Sequence, residues 1–155
     1  YGRAVIYDAG GGVGIAAIVA IKAADDQLPV MWTHCKYSSE STPGAGVCDL
    51  SEFCGQTQKS AYWSRNHEHF FENLIRRERH RNERVGRSGF EVGDARRLYE
   101  MYDRARFLRP KFTIAIAQPG VSKATASRPQ LDVLGSVELF LSETASSELL
   151  VFVSD

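Results

Sequence analysis

The sequence predicts a single α/β domain over residues 1–155, in which a mixed central sheet is flanked by helices. Its 155 residues, 43% of them hydrophobic, suffice for one buried core. Short β-branched and aromatic runs near both ends predict strands, and apolar residues at helical spacing lie between them. In the last third, a strand, a helix and a strand follow one another, which implies a parallel crossover. The predicted order is β-β-β-α-α-α-β-α-β.

The first third of the chain predicts three strands. The run 5–8 is β-branched and aromatic and ends at the glycine cluster 10–12, which is typical of a strand followed by a turn. The apolar run 15–22 fits a strand or a helix, and a helix would make the order begin β-α-β. Residues 28–36 alternate as a buried strand does, and the Ser-, Thr-, Pro- and Gly-rich residues 38–47 predict a loop.

Three helices are predicted in the middle of the chain. Asp49 or Ser51 is suited to cap the first, which runs to about Trp63, and Asn66 starts the second. A glycine-containing stretch then interrupts the helical pattern. Asp94 follows it as a good N-cap for the third helix.

The last third carries the clearest local signals. Phe112–Ala117 predicts a strand, and Leu149–Val153 predicts the final one. Between them, Ser127 and Gln130 have the spacing of a capping box, with a proline in the first turn. Apolar residues at helical spacing follow, so this segment predicts a helix between two strands.

The charge of the chain is balanced overall but not along its length. Lys and Arg number 19 and Asp and Glu also number 19, which excludes a uniformly basic nucleic-acid binder and an acidic disordered tail. Residues 76–111 nevertheless contain twelve Lys or Arg against six Asp or Glu, so this segment has six excess positive charges. The remainder carries the opposite excess. We therefore expect two surfaces of opposite charge.

Three further observations bear on compartment and context. The longest apolar stretch, Val13–Ile21, is shorter than the roughly 20 residues that a membrane-spanning helix needs, so we expect no membrane association. The three cysteines, Cys35, Cys48 and Cys54, show neither CxxC nor finger spacing, which argues against a disulfide scaffold and structural zinc and favours a reducing cytoplasm. Because strand-like runs adjoin both ends, we expect this domain to belong to a larger polypeptide.

A lysine closes the third predicted strand, where the sequence runs Trp32-Thr33-His34-Cys35-Lys36-Tyr37-Ser38-Ser39. A lysine at the end of a buried strand is uncommon, since desolvating an ammonium group is costly unless the group is paired. This strand and the following helix, 47–60, resemble restriction-endonuclease-like domains of the PD-(D/E)xK nuclease superfamily, found in bacterial helicase-type and DNA-defence proteins. Gln58 and Tyr62 fit the Gln-x-x-x-Tyr signature of RecB-like members. The resemblance covers about residues 4–62.

The resemblance implies Mg²⁺- or Mn²⁺-dependent hydrolysis of DNA phosphodiester bonds. By this resemblance, Asp8 would ligate the metal and Lys36 would stabilise the phosphate. His34 would replace an acid as a metal ligand or proton carrier. Gln58 and Tyr62 would orient the site or the DNA strand.

Two departures from the family pattern bear on catalysis. His34 stands where the family carries the acid of its (D/E)-x-K motif, and Gly14–Ala17 stands where the family has an acidic stretch. Only Asp8 lies nearby. The expected acidic ligands for Mg²⁺ are therefore missing, and a catalytically degenerate domain that binds DNA is the other form of this hypothesis.

The glycine loop after the first strand supports a different hypothesis. Gly10–Gly14 and the small residues after it resemble the cofactor loop of medium-chain dehydrogenases, which implies dinucleotide binding at a helix N-terminus. The loop reads Ala9-x-Gly11-x-x-Gly14 where the family has GxGxxG. The alternative without a ligand is a glycine turn that joins two strands. Dinucleotide binding requires residues 14–24 to be helical, whereas the nuclease-like fold requires a strand over 15–22.

The arginine-rich helices are the third functional feature. A phosphate-facing surface would have this composition, and its candidate nucleic-acid-binding residues are Arg76, Arg77, Arg79, Arg81, Arg84, Arg96 and Arg97. A solvated helix face braced by Glu–Arg pairs would have it too. So would a noncatalytic module that docks on an acidic face of its parent protein. The expected partners are thus DNA and the remainder of the parent polypeptide.

Overall fold

The computed structural model describes residues 4–10, 16–35 and 47–154, which form six strands and four helices. In chain order these are β1 Ala4–Asp8, β2 Ile18–Lys22, β3 Leu28–Cys35, α1 Val47–Arg65, α2 His67–Val85, β4 Phe90–Val92, α3 Ala95–Ala105, β5 Pro110–Ser122, α4 Arg128–Ala145 and β6 Glu148–Ser154. The predicted α/β class, a mixed sheet flanked by helices, is confirmed. The predicted order lacked one strand, β4.

The strands form one mixed sheet in the order β4-β1-β2-β3-β5-β6. β1, β2 and β3 form an antiparallel meander, and β5 and β6 continue the sheet in parallel. The register places Tyr7, Val19, Trp32, Ile114 and Leu149 side by side across five strands. The parallel β5–α4–β6 unit predicted from the last third is confirmed.

The hydrophobic core lies on one face of this sheet. Trp32 contacts the rings of Phe70 and Phe112 at centroid distances of 5.1 Å and 4.4 Å. Side chains from all four helices join the same cluster, so the helices cover this face. The opposite face carries Ile18 and Phe152, which are exposed. None of the helices in the described ranges has the length and apolar composition needed to cross a bilayer.

Two predicted helix caps are present. The Ser127 hydroxyl accepts from the backbone N–H of Gln130, and the Gln130 side chain accepts from the Ser127 N–H, which completes the capping box. Asp94 accepts from the backbone N–H of Arg97 at 2.8 Å. These caps bind N–H groups that have no partner within the helix, and they fix where α4 and α3 begin.

The starts of the first two helices differ from the prediction in detail. α1 begins at Val47, so Asp49 and Ser51 lie inside it and do not precede it. Asn66 does precede the second helix, but its side chain makes no cap and donates to the Tyr62 carbonyl at 2.9 Å. These cap positions were predicted from residue type alone. Several neighbouring polar residues are equally suited to cap a helix, so residue type does not determine which of them does.

A buried carboxylate fixes the strand that the sequence did not predict. Glu78, on the inner face of α2, accepts from Asn82 Nδ2 at 2.9 Å, Ser88 Oγ at 2.7 Å and the Gly89 N–H at 2.9 Å. These bonds hold the chain after α2 against the helix. The Gly89 carbonyl then accepts from the Asp8 N–H at 2.8 Å, and β4 pairs with β1.

The close approach of β4 to β1 requires a glycine at position 89. A Cβ there would lie 2.6 Å from Tyr7 Cε2 and 3.0 Å from the Asp8 carbonyl oxygen. We expect Gly89→Ala to lower the free energy of unfolding by about 2 kcal/mol, because the fully buried Tyr7 ring would have to move. Urea denaturation measures this change.

Gly135→Ala is the matched control for this substitution. Gly135 lies in α4, and a Cβ there would meet nothing within 4 Å. The control should raise the stability by about 0.5–1 kcal/mol, since alanine is the better helix former. Equal effects of the two substitutions would contradict the packing of β4 described above.

Candidate functional site

His34 lies inside the core and not at an open edge. Strand alternation turns it to the helix-covered face with Trp32, and it is 5% exposed. Its Nε2 lies 2.9 Å from the hydroxyl oxygen of Ser60 on α1. Burial lowers the pKa of His34 to about 4, so the imidazole is neutral at pH 7.

The residues that form and surround the hydrogen bond between His34 and Ser60 are buried in the structure described. Ser60 is 1% exposed, and Thr57, one turn earlier on α1, is fully buried. A nucleophile and base need access to the reacting group. The His34–Ser60 hydrogen bond therefore joins α1 to β3 and is buried in the structure described.

Asp8 lies at the end of β1, where its carboxylate is paired with an arginine. Arg81 donates to Asp8 Oδ2 through Nη1 at 3.2 Å and Nη2 at 3.1 Å, and to the Asp8 carbonyl oxygen at 2.8 Å. The other carboxylate oxygen, Oδ1, accepts from the Gly10 N–H at 2.9 Å. Both carboxylate oxygens thus have protein partners, although the side chain is 42% exposed.

The structure does not bring Asp8 and His34 together. Asp8 pairs with Ile18, and Ile18 pairs with Thr33, so these three side chains share one face of the sheet. His34 follows Thr33 and lies on the other face. Since β2 separates β1 from β3, Asp8 and Thr33 are also about 10 Å apart. Lys36, predicted to stabilise the phosphate, lies outside the described residues.

In the described ranges, no three His, Cys, Asp or Glu side chains are placed to hold one metal ion. The two residues predicted as metal ligands, Asp8 and His34, fit such a role poorly. Asp8 is engaged by Arg81, and His34 is buried beside a hydroxyl. Carboxylate oxygens are the ligands that Mg²⁺ prefers, and His34 supplies none.

The second strand bears on the dinucleotide hypothesis. Ile18–Lys22 is a strand, antiparallel to β1 and β3, where dinucleotide binding requires a helix over 14–24. This part of the segment therefore lacks the helix N-terminus that would hold a pyrophosphate. Residues 11–15, which include most of the glycine loop, lie outside the described residues.

Tyr62 and Arg76 line a common groove between α1 and α2. Tyr62 is 57% exposed and packs edge-to-face on Trp63 at 5.4 Å. Gln58, one turn earlier on α1, is half-buried. We call this region the α1–α2 groove; it has a volume of about 310 Å³ and is lined by Tyr62, Trp63, His69, Glu72, Asn73 and Arg76. Two residues predicted on separate grounds thus lie at one surface.

The predicted nucleic-acid-binding arginines divide into two groups. Arg77 and Arg81 turn toward β1, where Arg77 donates to the Ala9 carbonyl at 3.0 Å and Arg81 binds Asp8. The other five lie toward solvent, four exposed and Arg97 half-buried, and one of them, Arg96, lies 3.8 Å from Glu100. The full set is Arg76, Arg77, Arg79, Arg81, Arg84, Arg96 and Arg97.

Sequence reasoning missed Gln118, a buried polar residue near the end of β5. It is 1% exposed, and neither its side-chain oxygen nor its nitrogen has a hydrogen-bond partner in the described part of the chain. The β3–β5 register pairs Cys35 with Ala117, so Gln118 lies one position beyond the last described residue of β3. The available signal was a glutamine directly after the apolar run Ile114–Ala117.

No protein-family model matches this chain, and no significant match was found among the curated proteins or the solved structures. The restriction-endonuclease-like assignment therefore rests on the residues quoted above and stays a prediction.

The buried His34 makes stability depend on pH. Its pKa is about 4 in the folded protein and about 6.5 when exposed, so the unfolded chain binds more protons between these values. Stability is therefore lost as the pH falls from 6.5 toward 4. We expect this residue to account for about 2 kcal/mol of the stability lost between pH 7 and pH 5. Chemical denaturation at both pH values measures it.

The His34→Gln variant isolates this contribution, because glutamine keeps a hydrogen-bonding side chain but does not titrate. Its loss of stability between pH 7 and pH 5 should be smaller than that of the wild type. His80→Gln is the control, since the His80 side chain is 65% exposed. A wild-type pH dependence in His34→Gln would contradict the buried, neutral imidazole.

Proposed function

We propose that this chain is a nuclease-like domain that binds DNA through exposed arginines of α2 and α3 and does not hydrolyse it. The proposal combines two features. The side chains that the family resemblance assigns to metal binding are engaged within the fold. The arginine-rich segment, residues 76–111, still has excess positive charge when the residues that bind within the fold are left out of the count.

The charge of that surface supports the proposal. In residues 76–111, the side chains of Arg77, Arg81 and Arg104 bind the end of β1, the residue after it or the turn before β3, and Glu78 is buried. Removing these four from twelve cations and six acids leaves nine cations and five acids at the surface. A surplus of four positive charges attracts the phosphate backbone without reading sequence.

The α1–α2 groove supplies contacts beyond charge. Arg76 on α2 is an exposed arginine, and Tyr62 on α1 provides an exposed ring that lines the same groove. Guanidinium groups bind phosphate oxygens, and aromatic rings stack on bases. Glu72 is the one acid among the described residues that line this groove, and it accepts from the Tyr102 hydroxyl at 3.2 Å.

Removing two outward arginines should weaken DNA binding. We expect the double variant Arg76→Gln/Arg79→Gln to bind duplex DNA more weakly and to lower the slope of log K against log salt concentration by about two. Fluorescence anisotropy over a series of salt concentrations measures both quantities. Arg128→Gln is the control, because Arg128 is also exposed but lies on α4 and pairs with Asp132.

A cleavage assay tests the second half of the proposal. We expect wild type and Lys36→Ala to give the same background of DNA cleavage with Mg²⁺ or Mn²⁺. Cleavage by the wild type that Lys36→Ala abolishes would contradict a noncatalytic domain and support the hydrolytic form of the hypothesis. Wild-type binding by Arg76→Gln/Arg79→Gln would contradict the DNA-binding surface.

A further inference from the structure

We infer that a second pocket, between the end of α3 and the start of β5, binds single-stranded DNA, with a phosphate held by arginines and a base stacked on Phe107. This inference rests on the proposed function and specifies the form of DNA that the domain prefers. We call the site the α3–β5 pocket. It has a volume of about 410 Å³, and its lining includes Arg65, His67, Arg106, Phe107 and Arg109.

The charge of the α3–β5 pocket selects an anion. Three arginines and a histidine contribute to its lining, and no Asp or Glu of the described chain does. The α1–α2 groove, by comparison, contains Glu72. Clustered guanidinium groups with no competing carboxylate bind phosphate oxygens, often through two parallel hydrogen bonds.

One of these arginines is already held in place. Arg65, at the end of α1, donates from Nε to the Thr144 carbonyl of α4 at 2.9 Å and donates to the same oxygen from Nη2. Its guanidinium group is thereby oriented before any ligand arrives. Orientation in advance lowers the entropy cost of binding.

Phe107 supplies the apolar half of the site. Its side chain is 88% exposed, the largest exposed fraction among the large hydrophobic residues described. Leaving a phenylalanine side chain in water forgoes the stabilisation that burying it would contribute. A base stacked on the ring would cover it.

The backbone around Phe107 is fixed by local hydrogen bonds. The N–H groups of Phe107 and Leu108 both donate to the Arg104 carbonyl, at 3.0 Å and 2.8 Å. The Arg104 guanidinium in turn donates to the Ala24 carbonyl at 2.6 Å, which ties this turn to the chain before β3. The ring is therefore presented from an anchored turn.

The exposed ring distinguishes single-stranded from duplex DNA. A base in a duplex is stacked on both faces, so it presents no free face to a side chain. A single strand offers one at every nucleotide. Arginines, in contrast, bind the phosphates of either form. Phe107 should therefore contribute to the binding of single-stranded DNA and not to the binding of duplex DNA.

The two pockets are neighbours along the junction of α1 and α2. A shallow depression between them is lined by Arg65, Asn66, His67, Glu68 and His69, which shares residues with both. A single strand could thus pass from Phe107 to Tyr62 and stack on both rings. The two exposed rings give the strand two stacking positions on one surface.

Anisotropy with a twelve-nucleotide oligo-dT and a twelve-base-pair duplex tests the inference on the full chain. We expect Phe107→Ala to weaken oligo-dT binding about tenfold and to leave duplex binding unchanged, because stacking on one ring is lost. Arg106→Gln/Arg109→Gln should weaken both. Phe152→Ala and Arg128→Gln are the matched controls, exposed residues of the same types on β6 and α4.

The outcomes separate this inference from the proposed function. If Phe107→Ala binds oligo-dT as the wild type does, or weakens both DNA forms equally, the single-strand inference is wrong. If the wild type binds the duplex through Arg76 and Arg79 but binds oligo-dT no better, only the inference fails. If the wild type binds neither DNA, both proposals fail. Unchanged thermal unfolding curves establish that each variant is folded.

Discussion

The charged inner face of α2, seated on the end of β1, is the contact on which the rest of the structure depends. Three residues make it: Arg77 donates to the Ala9 carbonyl, Arg81 binds Asp8, and Glu78 accepts from the chain that leads into β4. Burial, and then the neighbouring negative charge of Glu78, raise the pKa of Tyr7 to about 12. A buried carboxylate is stable only when its oxygens are hydrogen-bonded, and these bonds meet that requirement.

This contact also determines what is available for function. Asp8, which the resemblance assigns to metal binding, is the partner of Arg81, and Arg77 binds the residue after β1. The remaining arginines of α2 and α3 keep a positive surplus at the surface. Arginines that bind within the fold therefore alternate along α2 with arginines that are exposed to solvent, and the face of the helix determines which of the two each residue is.

The sequence was most informative where a local interaction determines the structure. The Ser127–Gln130 capping box and the Asp94 cap could be predicted because the partners lie three residues apart. Strand β4 could not, because Phe90–Val92 is short and depends on Glu78 and Gly89, which approach β1 only in the folded chain. Local propensity carries no information on such contacts.

The candidate site shows the same limit. The sequence singled out Asp8 and His34, but the partner of each depends on tertiary packing. Neither the pairing of His34 with Ser60, 26 positions later, nor that of Asp8 with Arg81, 73 positions later, could be inferred from spacing. Phe107 lies among arginines in the sequence, but the 88% exposure of its side chain follows from the turn after α3.

A double-mutant cycle between Asp8 and Arg81 tests the central claim most directly. Unfolding free energies are compared for wild type, Asp8→Ala, Arg81→Ala and the double variant, with Asp8→Ala combined with Arg79→Ala as the control cycle. A stabilising contact between the Asp8 carboxylate and Arg81 predicts a coupling of about 1 kcal/mol in the first cycle and none in the control. Additive effects in both cycles would contradict the account and leave Asp8 available as a metal ligand.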